Sequence, residues 1–544
     1  MPQSSVLAPF RNPVFRSLWA ATLFSNLGTL VQATAAGWMM AGLTAAPSMV
    51  ALVQSSNTLP FMVLSLVAGA LADSFNRRKI MIAAQIFVVV VSVMLAGLAW
   101  YGLVTPWMLL VFTFLIASGG VIFLPSWQAS MGDILAREDL SAAVSLNGMS
   151  YNMMRSVGPA VGGAIVASFG AAAAFALNAL SCLPLIGVLL RWQPEQPVSS
   201  LPPESLGSAL GAGLRYALLS PALMRVMLRG GVFGFSAICV LALLPLVARD
   251  LLHGTALTYG ILLGAFGLGA IGGVSLNGQL GARFSNEMIL RISFIGFAVG
   301  VLALAFSPSL VLSCLALMLM GPFWVLALSL FTVSVQLSTP RWVVGRALSM
   351  YQTTAFGGMA AGAWFWGAMA DVWGGTIALC MAAAMLVAGA ILGIWMRQTD
   401  FEDIDLTPIG NFVAPQPSLN IKQRSGPIMI LVEYDIGDEN TTEFLALMRE
   451  RRKIRIRDGA RQWSLMRDLE KPDRWLESYH VPTWNEYLRH NHRRTRNDAK
   501  NFDKLLLLHR GPSDLRVHRL IERQTVPLHD DFRPHVTSGT TILP

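Results

Sequence analysis

The stretch Gly69-Ala-Leu-Ala-Asp-Ser-Phe-Asn-Arg-Arg-Lys-Ile80 decides the fold, because it joins two long apolar segments through a very short loop. Each flanking segment is long enough to cross a bilayer. The cations Arg77, Arg78 and Lys79 are expected to hold the loop on the cytoplasmic side. Asp73 is a lone acid at the end of an apolar segment, where an ionised group needs a partner and is a candidate functional residue.

The composition indicates a membrane protein with a soluble tail. Of 544 residues, 54% are apolar and 13% are charged, which is too apolar for ordinary soluble domains. Charges are sparse up to residue 397 and dense beyond it. The basic residues of the first part lie mostly between apolar segments, which argues against a nucleic-acid partner. The 4 cysteines are far apart inside apolar segments, so we expect no disulfide framework and no metal site.

Apolar runs of about 20 residues predict twelve membrane spans, six on either side of a polar, proline-rich stretch. The first six cover 17–42, 48–71, 80–102, 107–131, 143–168 and 171–191, and the second six cover 226–248, 257–281, 287–306, 309–335, 346–370 and 375–396. We therefore predict two six-helix bundles, a linker with an amphipathic helix, a second linker, a soluble domain and a flexible end. Their bounds are 1–192 and 225–397 for the bundles, 193–224 and 398–426 for the linkers, 427–525 for the domain and 526–544 for the end.

The basic residues also predict the orientation. Arg77, Arg78, Arg137 and further bases fall in loops that would be cytoplasmic if both termini were cytoplasmic. The opposite loops hold little beyond Arg249. Because cytoplasmic loops carry the excess of Lys and Arg, we expect a bacterial cytoplasmic (inner) membrane protein with both termini inside.

The two groups of spans resemble each other. Gly69-Ala-Leu-Ala-Asp-Ser-Phe matches Gly278-Gln-Leu-Gly-Ala-Arg-Phe, and Asp73 aligns with Ala282. A constant shift also places Arg137 on Arg341, Gly158 on Gly362, Gly163 on Gly367 and Gly170 on Gly374. Such a repeat predicts two parallel six-helix units about an axis along the membrane normal, with a central cavity for the substrate.

These features together resemble the major facilitator superfamily of secondary transporters. The loop is similar to that family's signature Gly-x-Leu-Ala/Gly-Asp-Arg-x-Gly-Arg/Lys-Arg, which Gly69, Leu71, Ala72, Asp73, Arg77 and Arg78 match. Ser74 and Asn76 depart from the usual Arg and Gly. The resemblance covers about residues 10–397 and implies an all-α membrane fold with 12 helices in two parallel six-helix repeats. It also implies a conformational gate at this loop, in which Asp73 meets the start of the eleventh helix near Arg346.

A second element favours export. Gly158-Pro-Ala-Val-Gly-Gly163 is similar to the Gly-Pro-x-x-Gly-Gly element of antiporters in this superfamily, with Pro159 and Gly162 as its other fixed positions. Helix packing alone is the alternative explanation, because small residues let membrane helices approach closely. With the long tail, the resemblance narrows to the branch of transmembrane secretion effectors, which includes siderophore exporters and macrolide-type efflux proteins. Proton antiport is implied, although no acid lies near the middle of a predicted span.

Candidate cavity residues lie on the first and fifth spans. Asn147, Tyr151 and Arg155 share one helix face, and Arg155 is the only charge we find well inside a span. Such an arginine either binds a polar or anionic group of the substrate or pairs structurally. Along the first span we expect Thr22, Ser25, Asn26, Thr29 and Gln32 to face the cavity, and hydrogen bonding of the hydroxyl to its own helix backbone is an equally good explanation for Thr22 and Ser25. An aromatic wall of Trp127, Trp324, Phe356, Trp364 and Trp366 is a further hypothesis, with interfacial anchoring as its alternative.

The tail alternates strand and helix patterns in the order β-α-β-β-α-β, which predicts a ferredoxin-like domain. Strands are predicted at 428–434, 462–468, 475–480 and 516–522, with helices at 442–457 and 483–508. The domain also resembles small antibiotic-biosynthesis monooxygenase-like domains, which usually pair into dimers. The basic segment around His490 and Arg493 is interpreted as a solvated face. We therefore predict a dimerisation or regulatory module without cofactor, not an enzyme.

The sequence thus predicts a secondary transporter that exports a drug, siderophore or secondary metabolite by alternating access. Its expected partners are that small molecule, the lipid bilayer, protons and a second copy of the tail. An importer of the same architecture and a membrane-tethered enzyme with a monooxygenase-like tail remain the alternatives.

Overall fold

A computed structural model describes residues 7–136, 138–193, 206–281, 283–340, 343–398, 415–419, 421–493, 495–511 and 515–522. The chain forms two compact units. The membrane unit comprises Met1–Leu206, Met224–Val335 and Leu348–Asp400. The tail unit comprises Gly207–Leu223, Gln336–Ala347 and Phe401–Pro544.

Long helices make up the membrane unit. In the first half these are α1 Pro13–Leu43, α2 Pro47–Ser74, α3 Arg77–Trp100, α4 Pro106–Ile134 and α5 Leu140–Arg191. After α6 Leu206–Leu219, the second half contains α7 Pro221–Leu246, α8 Ala256–Gly281, α9 Asn286–Ala305, α10 Leu310–Leu337, α11 Val344–Trp373 and α12 Gly375–Trp395. Within the described residues, 9 helices are long and apolar enough to cross a membrane.

The helix α5 covers two of the predicted spans. Its path changes at Gly170, where φ is 80° and ψ is 172°, so the helical hydrogen bonding is interrupted there. Gly374 has φ of 83° at the break between α11 and α12. Glycine adopts positive φ without the steric penalty that a Cβ brings. The two glycines that the repeat aligned therefore make the same turn in both halves.

Local capping explains why the loop after α2 ends where it does. Asn76 precedes α3, and its side-chain oxygen accepts a hydrogen bond from the Lys79 backbone N–H at 3.2 Å. An Asn at this position satisfies a donor that the first turn of a helix leaves unpaired. The departure of Asn76 from the family signature thus provides a helix cap.

Glycines bring the two halves of the membrane unit into backbone contact. A Cβ built on Gly163 of α5 would lie 2.6 Å from Ala256 O and 2.9 Å from Gly260 Cα on α8. A Cβ on Gly367 of α11 would lie 2.6 Å from Ala51 Cβ on α2. The aligned glycines therefore make corresponding contacts, in each case from the fifth helical segment of one half to the second helix of the other.

Two further glycines of the Gly-Pro-x-x-Gly-Gly element pack within the first half. A Cβ on Gly158 would lie 2.8 Å from Leu30 Cβ, and one on Gly162 would lie 3.1 Å from Val31 Cα, both on α1. The carbonyl of Pro159 faces Gly260 of α8, at 2.6 Å from a Cβ built there. The element therefore places α5 between α1 and α8.

The tail unit contains a four-stranded antiparallel sheet in the order β2-β3-β1-β4. The strands are β1 Ile428–Asp435, β2 Arg461–Arg467, β3 Arg474–Val481 and β4 Val517–Ile521, and the helices are α13 Thr441–Asp458, α14 Trp484–His492 and α15 Arg496–Leu508. Alternate residues of β1, including Ile430 and Val432, pack with Phe444 of α13 and Leu505 of α15 in one core. This is a small α+β domain, as the alternating sequence pattern predicts.

The single helix predicted at 483–508 is wrong, because the structure has two. Thr495 begins α15 with a capping box, in which its hydroxyl accepts from Asp498 N at 3.3 Å and Asp498 Oδ2 accepts from Thr495 N at 3.2 Å. Reciprocal hydrogen bonds of this kind start a new helix and fix its direction. The apolar spacing of α14 and α15 resembles one helix, so only the Thr-x-x-Asp pattern marks the break.

The helix α6 belongs to the same unit as the tail domain. Its Tyr216 is 2% exposed, and the Arg457 guanidinium of α13 lies 5.3 Å from the centroid of the Tyr216 ring. A Cβ built on Gly213 would lie 2.9 Å from Arg346 Cβ in the first turn of α11. The segment that links the two membrane halves in sequence is therefore packed against the tail domain.

The glycine contact between α5 and α8 gives a direct stability test. We expect Gly260→Ala to lower the melting temperature of the purified protein by several degrees, because the added methyl meets the Pro159 carbonyl and Gly163 Cα. Gly272→Ala on the same helix is the matched control, since no atom lies within 4 Å of its Cβ position. Equal melting temperatures for the two variants would show that the close approach is absent.

Candidate transport site and helix-end contacts

Arg155 lies between the two halves of the membrane unit. It extends from α5 towards α8 and α10, where its guanidinium is 5.5 Å from the ring centroid of Phe266 and 5.5 Å from that of Trp324. Both distances are within the range of cation–π attraction, which is strongest when the cation is desolvated. Among the described residues no carboxylate forms an ion pair with Arg155. The guanidinium therefore lies beside two aromatic rings.

Trp324 is the centre of an aromatic cluster in the second half. Its ring lies 5.9 Å from Phe266, 6.0 Å from Phe297 and 6.1 Å from Phe233, measured between centroids. The Trp324 side chain is buried, and within the described structure its indole Nε1 has no hydrogen-bond acceptor. A buried donor without an acceptor is costly unless a ligand or water satisfies it. Arg155 and Trp324 together present N–H donors beside aromatic surfaces.

Of the other two candidate residues of the fifth span, Tyr151 lies near Arg155 and Asn147 does not. Tyr151 is 50% exposed and close enough to interact electrostatically with Arg155. Asn147 is half-buried, and its Nδ2 contacts Met131 Sδ on α4 at 2.9 Å. Tyr151 therefore accompanies Arg155, whereas Asn147 packs inside the first half.

The polar residues of the first span do not share one surface. Ser25 is buried, with its hydroxyl 3.7 Å from Cys182 Sγ in the second segment of α5, and Thr22 is also buried. Thr29 is exposed and donates to the backbone of its own helix, at Ser25 O. Asn26 is half-buried. Ser25 therefore packs against the second segment of α5, and no described contact of Thr22 or Ser25 supports a place in the cavity.

Gln32 of α1 is 1% exposed, and its Nε2 has no partner in the described structure. Like Trp324 it is a buried donor without a described acceptor, which is costly unless water or a ligand satisfies it.

The five aromatic residues proposed as one wall are separate. Trp127 packs in the first half beside Phe123, and Trp364 is 58% exposed. Trp366 donates through Nε1 to Phe235 O on α7 at 2.7 Å. Phe356 stacks on Phe61 of α2, with 4.6 Å between centroids. Of the five, only Trp324 lies beside Arg155. The positions of these aromatic residues in the sequence do not determine which of them face the other half.

The loop after α2 ties together helices of the first half. Arg77 Nη1 pairs with Asp133 Oδ2 at the end of α4, at 2.8 Å. Arg78 donates to the carbonyls of Leu189 and Leu190 at the end of α5, at 2.8 and 2.6 Å. Cations at a helix C-terminus offset its partial negative charge. The bases of the predicted gate therefore also stabilise the bundle to which they belong.

The structure describes no contacts for two residues of the predicted gate, Gly69 and Asp73. The side chain of Asp73 lies outside the described part of the chain. No described atom lies within 4 Å of a Cβ built on Gly69. The gate role of this loop stays a prediction.

At the opposite end of the helices, Arg249 and Asp371 join the two halves, which the sequence did not predict. Arg249, in a π-helical turn after α7, donates to Ala41 O and to Thr44 O at the end of α1. Asp371 of α11 accepts the backbone N–H of Ser48, at the start of α2, at 3.1 Å. Both lie near helix ends in sequence, and only the fold shows that each one caps a helix of the other half.

A buried ion cluster in the second half was also missed. Arg229 of α7 pairs with Glu287 Oε2 at 2.5 Å, and Arg291 pairs with Glu287 Oε1 at 2.9 Å. Arg229 is 0% exposed. This cluster lies at the end of α12, where Arg229 donates to Met396 O and Arg291 to Gly393 O. The sequence feature that could have indicated this cluster is the one-turn spacing of Arg225 and Arg229 at the start of an apolar run.

The tail domain contains a buried charge network. Glu477 of β3 accepts from Arg451, Arg455, Trp463 and Tyr434, and it is 0% exposed. Burial alone raises the pKa of Glu477, but Arg455 and Arg451 more than reverse this and hold it well below its usual range. Every acceptor of the carboxylate is used inside the protein, which indicates a structural role for the network.

The interpretation of the segment around His490 as a solvated face is wrong. His490 is 1% exposed and contacts Arg455 Nη1 at 3.1 Å and Asp458 O at 3.3 Å, while Arg493 is 8% exposed. Burial raises the pKa of Asp458 to about 6, and Arg457 opposes the shift only in part. Within the described residues no group of at least 3 His, Cys, Asp or Glu side chains is arranged to hold a metal ion.

Comparisons with known proteins identify the family of the chain. A family model described as transmembrane secretion effector matches residues 4–525, which includes the tail domain. The enterobactin exporter EntS of Salmonella typhi is 28% identical over 315 residues, covering 55% of this chain and 71% of that protein. The enterobactin exporter EntS of Citrobacter koseri is 27% identical over 366 residues, covering 65% and 84%.

Solved structures share the fold of the membrane unit. A bacterial homologue of the human lysosomal transporter Spinster, in an inward-facing and occupied conformation, has a TM-score of 0.59 at 14% identity, covering 73% of this chain and 98% of that chain. The nucleoside transporter NupG has a TM-score of 0.54 at 14% identity, covering 71% and 100%. At these identities the similarity concerns the fold alone.

Proposed function

The chain belongs to the transmembrane secretion effector family of major facilitator transporters, and from that premise we propose that it exports a small molecule across the cytoplasmic membrane. The observation that carries the proposal is the position of Arg155, a cation without a carboxylate partner among the described residues, at the junction of the two halves. An arginine at such depth is retained when it contacts substrate, water or an acid.

We propose twelve spans in two parallel repeats, with both termini cytoplasmic. Of the described helices, 9 meet the length and hydropathy requirement for a membrane span. The break at Gly170 divides one of them, α5, into two spans. The helices α1 and α11 supply the other two spans. The corresponding contacts of Gly163 and Gly367 support the repeat. The strand order β2-β3-β1-β4 with helices on one face supports a ferredoxin-like tail domain.

Alternating access is the transport mechanism that these contacts favour. The contacts of Arg249 and Asp371 with the other half stabilise a state closed at the end opposite the basic loops. At the glycine contacts of α5 with α8 and of α11 with α2, no large side chains interlock, so the two halves can rotate against each other there. We also propose that Asp73, Arg77 and Arg78 form the contact that closes the membrane unit at the end with the basic loops. Proton antiport is the proposed energy source.

The substrate class that fits the site is polar, aromatic and rich in oxygen acceptors. Arg155 and Trp324 offer N–H donors, and Phe266 and Tyr151 offer aromatic surface. Siderophores of the kind named for the enterobactin exporter relatives have this chemistry, and we propose a siderophore or a related secondary metabolite as the exported molecule. The same residues give no reason to expect catalysis in the membrane unit.

Transport into everted membrane vesicles tests both direction and site. We expect vesicles energised with NADH to accumulate iron-free enterobactin or a macrolide, and to lose this activity when the proton gradient is collapsed. Arg155→Gln should raise KM about tenfold or more, because a charged hydrogen bond to the substrate is lost. Arg191→Gln, at the exposed end of the same helix, is the matched control.

Three outcomes would contradict these proposals separately. Depletion of the vesicles on energisation would indicate import. Accumulation that persists without a proton gradient would exclude proton antiport. An unchanged KM in a correctly folded Arg155→Gln variant would remove Arg155 from the substrate site.

We propose that the tail domain regulates transport through α6. The contacts of Tyr216 with Arg457 and of Gly213 with Arg346 hold the segment that connects the two halves. Burial lowers the pKa of the Arg215 guanidinium, and Arg461 lowers it further, whereas Glu486 and Asp458 raise it, so α6 is also electrostatically coupled to the domain. Pairing of two tail domains into a dimer stays a prediction from the family resemblance.

Tyr216→Ala tests this docking in the full-length protein. We expect faster amide hydrogen exchange in α6 and a transport rate at least twofold higher, because a restraint on the connecting segment is removed. Leu218→Ala is the control, since Leu218 lies on the same helix and is 58% exposed. Faster exchange without any change in transport would show that docking has no regulatory effect, and unchanged exchange would show that the contact is not formed.

A further inference from the structure

Two helix pairs connect the halves of the membrane unit, α5 with α8 and α2 with α11, and their contacts correspond at first. Beyond the glycine contacts, a serine hydroxyl crosses each pair. Ser156 Oγ donates to Gly264 O at 3.4 Å. Ser55 Oγ donates to Ala360 O at 2.7 Å. The shifts that relate the two halves in sequence align Ser156 with Ala360 and its partner with Ser55. Both pairs are therefore closed down to this level.

The α2–α11 pair stays in contact further towards the end that carries the basic loops. Met62 of α2 lies against Gly357, with its Sδ 3.1 Å from a Cβ built on that glycine. One turn further on, the hydroxyl oxygens of Ser65 and Thr353 are 3.3 Å apart. From the rise per helical residue, Thr353 lies about 21 Å along α11 from Gly367. The α2–α11 pair is thus closed over much of the thickness of a bilayer's apolar core.

The α5–α8 pair loses its close backbone contact at about half that depth. Its last described close approach is at Gly267, where a built Cβ would lie 2.5 Å from Ser156 Cα and 2.9 Å from Arg155 O. Ser156 lies about 10 Å along α5 from Gly163. The close approach therefore ends beside Arg155, the residue of the proposed substrate site.

Beyond this level the α5–α8 pair differs from its counterpart. Met153 and Met149 occupy the positions that align with Gly357 and Thr353 of α11. They are 51% and 70% exposed. Both continue the face of α5 that carries Ser156, about one and two turns further on. The side of α5 that meets α8 at Ser156 is thus uncovered towards the basic loops.

The exposed residues at this level form a lateral opening between α5 and α8, lined by Met149, Met153 and Ile271. Ile271 is one turn beyond Gly267 and is 39% exposed, and no described atom lies within 4 Å of a Cβ built on the adjacent Gly272. The lining residues fall within the spans predicted at 143–168 and 257–281, at a depth where hydrocarbon surrounds the protein. Methionine side chains are flexible and are common at surfaces that bind varied ligands. The lateral opening is therefore an apolar route between the bilayer and the proposed substrate site.

We propose that the exported molecule enters the site at Arg155 sideways, through the lateral opening, from the bilayer leaflet on the side of the basic loops. This route rests on the proposed export function and selects an amphipathic substrate. The polar end of such a molecule reaches the N–H donors of Arg155 and Trp324, and its apolar part passes between the methionines. Burial of its apolar surface concentrates the molecule in the leaflet, so the site does not have to capture it from water.

Fluorescence quenching in the reconstituted full-length protein tests the lateral opening without any substrate. In a cysteine-free background, a bimane label on Met149→Cys should be quenched by phosphatidylcholine that is brominated in its acyl chains. A label on Val299→Cys is the positive control, because Val299 is 52% exposed within the predicted span 287–306. A label on Leu507→Cys is the negative control, because Leu507 is 84% exposed in the tail domain.

Lipid quenching at position 149 should reach at least half of the value at position 299. Quenching by aqueous iodide alone would indicate a water-filled cleft that is closed to lipid, and it would overturn the proposal. The absence of quenching by either agent would overturn it as well, because position 149 would then be covered.

A transport measurement tests the route itself. Met153→Trp fills the lateral opening, so it should lower at least threefold the initial rate at which everted vesicles accumulate the exported probe, erythromycin or iron-free enterobactin. Val299→Trp introduces the same side chain on α9 and should leave the rate unchanged. Equal rates for the two variants, with export by the unaltered protein intact, would overturn the lateral route alone. Failure of the unaltered protein to accumulate either probe would instead contradict the proposed export, whatever the quenching result.

Discussion

The close approach of backbones between the two halves is the constraint on which the membrane unit depends. Gly163 meets Gly260, and Gly367 meets Ala51, at distances that leave no room for a larger side chain. Without a hydrophobic driving force between helices in lipid, such packing supplies much of the attraction that holds them together. It also positions Arg155, because α5 can lie against α8 only where its glycines allow. The proposed substrate site is thus a consequence of how these helices pack.

Charges at helix ends add a second level of organisation. Arg78 contacts the end of α5, three arginines contact the end of α12, and Arg249 contacts the end of α1. Arg78, Arg249 and Arg291 satisfy carbonyls that a helix end leaves without donors. The contacts of Arg78 and of the α12 cluster lie within one half and stabilise it. The contact of Arg249 joins the two halves.

The sequence predicted the parts of this protein that depend on local chemistry. Hydropathy placed the long helices, alternation placed the four strands, and the repeat related Gly170 to Gly374, which both have positive φ. Partners across the fold were not predictable. Asp133, Glu287 and Asp371 each lie near a helix end in sequence, and only the packing shows which base or amide each one meets. The contact of Ser25 of α1 with α5 was likewise not predictable.

The central claim is that the two halves rock about their glycine contacts to expose the site around Arg155 alternately. Electron paramagnetic resonance distances between spin labels at Ala45 and Trp373, in a cysteine-free background, test it most directly. Both positions are exposed at the end where Asp371 caps α2. We predict two distance populations, and a shift towards the longer one in Asp371→Asn and Arg249→Gln, while Ala45 and Tyr101 within the first half keep one distance. A single Ala45–Trp373 distance that neither substitution changes would contradict the account.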